Sequence, residues 1–183
     1  MRKITLLGVL LIAAGTWTVS GQNAVWTIKK GSIHFTSDAP LEKIEADCDQ
    51  LKGVLNPQDN RFAFNVEIDQ FEGFNSSLQQ VHFNENYMES VLFPKASFTG
   101  KIIEKVNFGE NGKIPVRAKG ILEIHGVKQE RIIPVNLEIE NQKCSFTSNF
   151  NILLPDHDIS VPRIVFQKVS QTIQVSVKGE LAK

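Results

Sequence analysis

The sequence predicts an all-β fold, an extended antiparallel β-barrel of about eight strands with one short helix. Three observations carry that reading. Apolar residues recur at every second position through most of the chain, turn-forming clusters separate these runs at short intervals, and hardly any segment has helical periodicity. Each run has one good apolar face, so a single enclosed interior is favoured over two packed sheets, and the chain is long for a simple sandwich.

The first 21 residues stand apart. Arg2 and Lys3 precede an apolar run from Ile4 to Ala14, too short to span a bilayer and of the length of a secretory leader's apolar core. Val19 and Gly21 occupy the small-residue positions before a cleavage site. The expected organisation is a signal peptide over 1–21 and a single domain over 22–183, with export to the periplasm or the medium. Removing the leader from the 183 residues takes away two basic side chains, leaving 18 basic against 20 acidic. That balance gives no footprint for nucleic acid, and no basic helix suggests a membrane surface.

Strand by strand, "SIHF" aligns Ile33 with Phe35. "RFAFNVEID" puts Phe62, Phe64, Val66 and Ile68 on one side, and "KASFTGKI" does so with Ala96, Phe98, Gly100 and Ile102. "IPVRAKGILEI" aligns Ile114, Val116, Ala118, Gly120, Leu122 and Ile124. "CSFTSNFNIL" aligns Phe146, Phe150 and Ile152, and "TIQVSVKGEL" aligns Ile173, Val175, Val177 and Leu181. Turn formers at 56–60 and 109–113 separate the runs, and His125-Gly126 reads as a two-residue hairpin turn. Two segments break the pattern. In 76–93, Asn84 reads as an N-cap and 82–90 as a short helix, with Tyr87 and Val91 on one face and Pro94 starting the next strand. In 153–166, Pro155 and Pro162 interrupt any ladder, and "DHD" at 156–158 reads as a solvated turn.

Chemistry is sparse. The four histidines, His34, His82, His125 and His157, fall at no zinc-ligand spacing, and no phosphate loop, G-x-S-x-G or H-E-x-x-H is present. Acidic neighbours on both sides of Cys48 oppose a thiolate there. No catalytic residue, metal or cofactor is expected. Cys48 and Cys144 have two readings: a disulfide closing about 95 residues, worth roughly 4–5 kcal/mol in the chain-entropy model, or two separate buried thiols. The inward face mixes phenylalanines with small residues. Such a face either packs solid or leaves a lumen for an apolar ligand.

Three stretches, "SDAPLEKIEA" at 37–46, "HFNENYMESVLFPKASFTGKI" at 82–102 and "GILEIHGVKQERIIPV" at 120–135, together resemble the YceI-like family, in its compact exported form. The resemblance implies a lipocalin-like barrel holding a polyisoprenoid chain in an apolar lumen, with no catalytic residue. The expected function is therefore an exported, non-enzymatic binding protein that transports or stores an apolar lipid or isoprenoid. The alternative is a solid-core stress-response or protein-interaction module without a small ligand, and a homodimer is compatible with either. The lumen residues expected on this reading are Phe35, Phe62, Phe64, Val66, Phe98, Gly100, Ile102, Gly120, Leu122, Phe146 and Phe150. Leucine at Gly100 or Gly120 is expected to block the lumen from inside. Intact-mass spectrometry of the exported protein should find Gln22 as the first residue; a retained Met1 would contradict the leader.

Overall fold

The computed structural model describes residues 25–183, so the expected leader at 1–21 lies outside the described residues. The strands are β1 Trp26–Asp38, β2 Lys43–Cys48, β3 Lys52–Asn56, β4 Arg61–Glu67, β5 Lys95–Ile102, β6 Gly112–Ile124, β7 Val127–Glu140, β8 Lys143–Leu153 and β9 Thr172–Ala182. All pairings between them are antiparallel, each strand meets the next around the sheet, and β1 pairs back onto β9 from Thr27 to Ser37. β2 and β3 are two halves of one barrel strand. Both lie on the same edge of β1 in a common register, Ile33 opposite Cys48 and Trp26 opposite Leu55. The closed barrel therefore has eight strand positions.

Alternation is kept within each strand but resets at one level of the barrel. The β1–β9 register slips between Ile28 and Lys30, so Trp26 and Ile28 join the core on one side of this bulge, and Ile33, Phe35 and Ser37 face the interior on the other. The break at 49–51 does the same between β2 and β3, whose inward sets are Ala46 and Cys48, then Leu51 and Leu55. Paired bulges bend and twist a sheet locally, which helps to close it.

The turns follow residue chemistry. His125 and Gly126 take φ of 52° and 73° between Ile124 and Val127, the doubly positive turn whose twist suits a hairpin. Asn141 and Gln142, at 49° and 63°, make a similar turn between β7 and β8. These short turns and the connection 103–111 alternate with long crossings, so the barrel ends differ. One end has the 57–60 turn, the 103–111 connection and the 141–142 turn. Trp26 meets Phe108 edge-on there, at 5.4 Å between centroids, packed with Leu55, Ile139, Cys144 and Leu181. The other end carries the β1–β2 turn, the connections 68–94 and 154–171, and the 125–126 turn.

The helix is one of the long crossings at this second end, and it begins earlier than the sequence suggests. Helix α1 spans Ser77–His82 and continues as a π-helical turn over Phe83–Tyr87. Its N-cap is Ser76, whose hydroxyl accepts from the Gln79 amide at 3.3 Å. Asn84 lies inside the helix and its Nδ2 donates to the Gln80 carbonyl, so it caps nothing. Val91 shares no helix face with Tyr87; it sits in the turn that follows and is 94% exposed. The sequence signal failed because Ser76 precedes no clean apolar period.

Gly100 and Gly120 are opposite one another across β5 and β6. A Cβ on Gly100 would lie 2.1 Å from the Lys119 carbonyl oxygen, and one on Gly120 2.3 Å from that of Thr99. The missing side chains therefore make room for backbone, as at a tight corner of a barrel. Substitution there strains the wall rather than filling the interior, which corrects the expectation drawn for leucine at these sites. Gly100→Ala and Gly120→Ala should each lose about 1–3 kcal/mol in urea denaturation. Gly112→Ala, where a Cβ meets nothing within 4 Å, should stay within about 0.5 kcal/mol of the parent.

Candidate functional site: an apolar lumen with a polar mouth

Inside the barrel lies a cavity of about 570 Å³. Such a volume is within the usual range of small-ligand pockets, about 300–1,000 Å³. Nine of the eleven side chains expected at a lumen border it: Phe35, Phe62, Phe64, Val66, Phe98, Ile102, Leu122, Phe146 and Phe150. Gly100 and Gly120 do not, because their Cα atoms are turned against the neighbouring strand.

Four phenylalanines form a series of ring contacts across the interior. Phe62 lies 5.0 Å from Phe98 and 5.7 Å from Phe64, and Phe64 lies 5.4 Å from Phe146, between ring centroids. Two of them lean over glycines on the adjacent strand. Phe64 is opposite Gly53, where a Cβ would fall 2.0 Å from its ring, and Phe146 is opposite Gly179. Any larger residue at Gly53 would push the Phe64 ring across the lumen. The small residues thus set where the rings lie, and the rings set the width.

Polar groups collect at the end opposite Trp26. Glu42, Gln79, His82 and Lys168 border the cavity there, and His82 and Lys168 are exposed. The mouth is tied together by side chain and backbone: Gln79 Nε2 donates to Glu42 Oε1, Asn75 Nδ2 donates to the Lys43 carbonyl at 2.8 Å, and the Leu41 amide donates to the Gln167 carbonyl at 2.8 Å. Phe83 projects from the π turn into this opening, stacked on Phe35 at 5.5 Å and against Phe74 at 5.1 Å. The two buried serines of the lining are already engaged, Ser37 near the mouth and Ser148 on β8, and Asn65 and Ser97 border the cavity as well. Ser148 Oγ donates to the Pro134 carbonyl at 2.7 Å, and Ser37 Oγ accepts from the Ser170 amide at 2.9 Å. Most of the wall is apolar, so it can sort ligands by shape and length.

Sequence reasoning missed Phe71, Phe74, Phe83, Met88, Val165 and Val169, all of which border the cavity. They sit in the two long connections, where there is no alternation to assign a side chain to inside or outside. The apolar cluster "FEGF" at 71–74, in a segment otherwise polar, was the available signal.

The remaining reactive groups serve the frame. Cys48 and Cys144 are free thiols buried in different apolar clusters, which removes the disulfide alternative. Burial pushes both up, Cys144 to about 11, so neither is a ready nucleophile. The 156–158 segment is no solvated turn, since His157 is fully buried beneath it. His125 holds that region from outside: its Nδ1 lies 3.1 Å from the His157 carbonyl and its Nε2 2.8 Å from Glu89 Oε2. Among the described residues no group of three or more His, Cys, Asp or Glu side chains is placed to hold a metal ion.

A closed antiparallel barrel around an apolar cavity, entered at one end, defines a calyx-type fold. This chain belongs to the YceI-like domain family, whose model matches residues 17–181. Its fold is similar to a polyisoprenoid binding domain from Saccharophagus degradans implicated in plant cell wall breakdown, at TM-score 0.72 and 11% identity over 86% of this chain and 97% of that one. It is also similar to Burkholderia cenocepacia BcnA, at 0.64 and 14% over 82% and 95%, and to a Campylobacter jejuni YCEI protein, at 0.55 and 14% over 100% and 99%. Curated proteins give no match.

Burial also lowers the pKa of His157, whose Nδ1 lies 3.4 Å from the Val127 carbonyl oxygen. The unfolded chain then takes up the proton first. The contribution of neutral His157 is present above the ordinary histidine pKa of about 6.5 and is lost as pH falls below it. Urea denaturation from pH 7.5 to 5 should show that fall, and His157→Gln should flatten it; an unchanged pH slope in the variant would assign the loss to other groups.

Proposed function

We propose that the mature chain is an exported, non-catalytic carrier or store for an apolar chain-like ligand of the polyisoprenoid class. The observation that carries this reading is the cavity inside the barrel, lined largely by apolar side chains, with its charged residues Glu42, His82 and Lys168 at one end. The family membership and the neighbour described as a polyisoprenoid binding domain support the ligand class. Export rests on the leader-like N-terminal segment.

The energetics suit a chain of moderate length. Burying apolar carbon is worth about 0.8 kcal/mol per CH₂, so about three isoprene units give roughly 12 kcal/mol gross. Association and ordering cost about 4–15 kcal/mol. A short chain is therefore held weakly and a longer one firmly, until the Trp26–Phe108 floor is reached. Phe35, Phe71 and Phe83 would close over the part of the ligand nearest the mouth.

Organic extraction of purified protein, followed by mass spectrometry, should release a lipid with a prenyl chain. Ala118 borders the cavity, so Ala118→Leu should reduce the lipid recovered while the melting temperature stays near the parent's. A solid-core module would instead yield no lipid and lose about 1–3 kcal/mol through overpacking.

A further inference from the structure

The barrel end that carries the mouth also carries an apolar surface that the cavity does not use. Thirteen large apolar side chains are exposed among the described residues, and seven of them lie in the connections at this end. The closed end has two, Val25 and Ile103. At the mouth end the exposure is high: 94% for Val91, 92% for Ile164, 68% for Leu92, 67% for Leu41 and 61% for Leu78. Such a concentration on one face marks a contact surface rather than scattered surface apolarity.

These side chains are continuous with the lining of the mouth. Leu41 adjoins Glu42, Leu78 adjoins Gln79, and Ile164 and Phe166 flank Val165; in each case the neighbour borders the cavity while the named residue is exposed. The Leu41–Gln167 backbone bond joins the first and third of these segments, and the Gln79–Glu42 bond joins the first and second. The 89–93 turn is held too. Leu92 and Phe93 amides donate to the Glu89 carbonyl at 2.8 and 2.9 Å, Glu89 takes φ of 43°, and its carboxylate meets His125. Val91 and Leu92 are thus presented to solvent by an ordered turn.

We propose that this end docks on a lipid bilayer, with Leu41, Ile164 and Phe166 entering the acyl boundary and the mouth of the cavity facing the leaflet. The run "RIVFQK" at 163–168 brackets its apolar residues with Arg163 and Lys168 and contains no acid. Neither base forms an ion pair among the described residues; of the carboxylates in the connections at this end, Glu42 and Glu89 are engaged by Gln79 and His125, while Asp69, Glu72, Glu85, Asp156 and Asp158 stand outside this run. Apolar tips with flanking bases bind the interface of a membrane bearing anionic headgroups. An apolar ligand would then pass between leaflet and lumen without crossing water. No helix among the described residues is long and apolar enough to cross a membrane.

The site extends the carrier reading but is tested apart from it, using lipid-stripped protein. Flotation with vesicles of phosphatidylcholine containing about one-quarter phosphatidylglycerol should recover the parent chain. The double variant Leu41→Glu with Ile164→Glu should lose binding by about tenfold or more, whereas Ile132→Glu, on the barrel wall, should keep it. Arg163→Gln should lose up to about fivefold on these vesicles and change little on pure phosphatidylcholine. No flotation of the parent, or equal loss in the wall variant, would overturn the proposal. So would a dimer in the parent that the rim variant abolishes, since a second copy would then cover the patch. A chain that floats but yields no lipid on extraction would sink the carrier reading and leave this one standing.

Discussion

The pairing of β1 with β9 is the constraint on which the interior depends. It joins the first strand of the sheet to the last and leaves β1 with partners on both edges along most of its length. Once the sheet is closed, every inward side chain must share one axial space, and no strand edge there remains to recruit another chain. The bulge beside Ile28 and the break at 49–51 sit at about the same level of β1 and its neighbour. They let the apolar set of one half hand over to that of the other without exposing either.

Closure alone makes no cavity, because a barrel of this size can be filled by its own side chains. The lumen here follows from how large and small residues alternate across strands. Phe64 and Phe146 pack against Gly53 and Gly179 on the neighbouring strands and meet across the interior from β4 and β8, at 5.4 Å between centroids, while Trp26 and Phe108 fill the floor. Space is left above, beneath an arch of Phe35, Phe71, Phe74 and Phe83. Three of its four rings, all but that of Phe35, hang from the helix and from the 68–75 crossing, so much of the wall nearest the mouth rests on connections and not on the hydrogen-bonded ladder. Connections open at lower cost than core strands. The π turn that presents Phe83 fits such a place, as π segments often occur where a helix serves a site.

The mouth shows why membrane contact is hard to foresee in a chain of this kind. No single segment is a basic amphipathic helix. The exposed apolar residues come from the β1–β2 turn, from α1, from the 89–93 turn and from the 163–168 run, which are widely separated in the chain. They meet because all four cross the same end of the barrel.

By itself the sequence determined the strand class and most of the inward face. Period-two alternation names a side for each residue as long as the backbone stays extended, and the long, regular strands β4 to β9 are where that reading placed Phe62, Phe64, Phe98, Leu122, Phe146 and Phe150. His125-Gly126 was legible too, since a two-residue turn between strands needs positive φ. The tertiary structure alone decided the rest. Gly100 and Gly120 keep the inward parity yet face backbone, because strand approach is a property of a pair of chains and not of one. His157 is buried and Val91 exposed against their local context, because neither lies in a periodic segment and only the packing of the connections assigns them a side. Whether the inward residues fill the barrel or line a space was undecidable from composition, since the same phenylalanines do either, depending on which glycine lies opposite each ring.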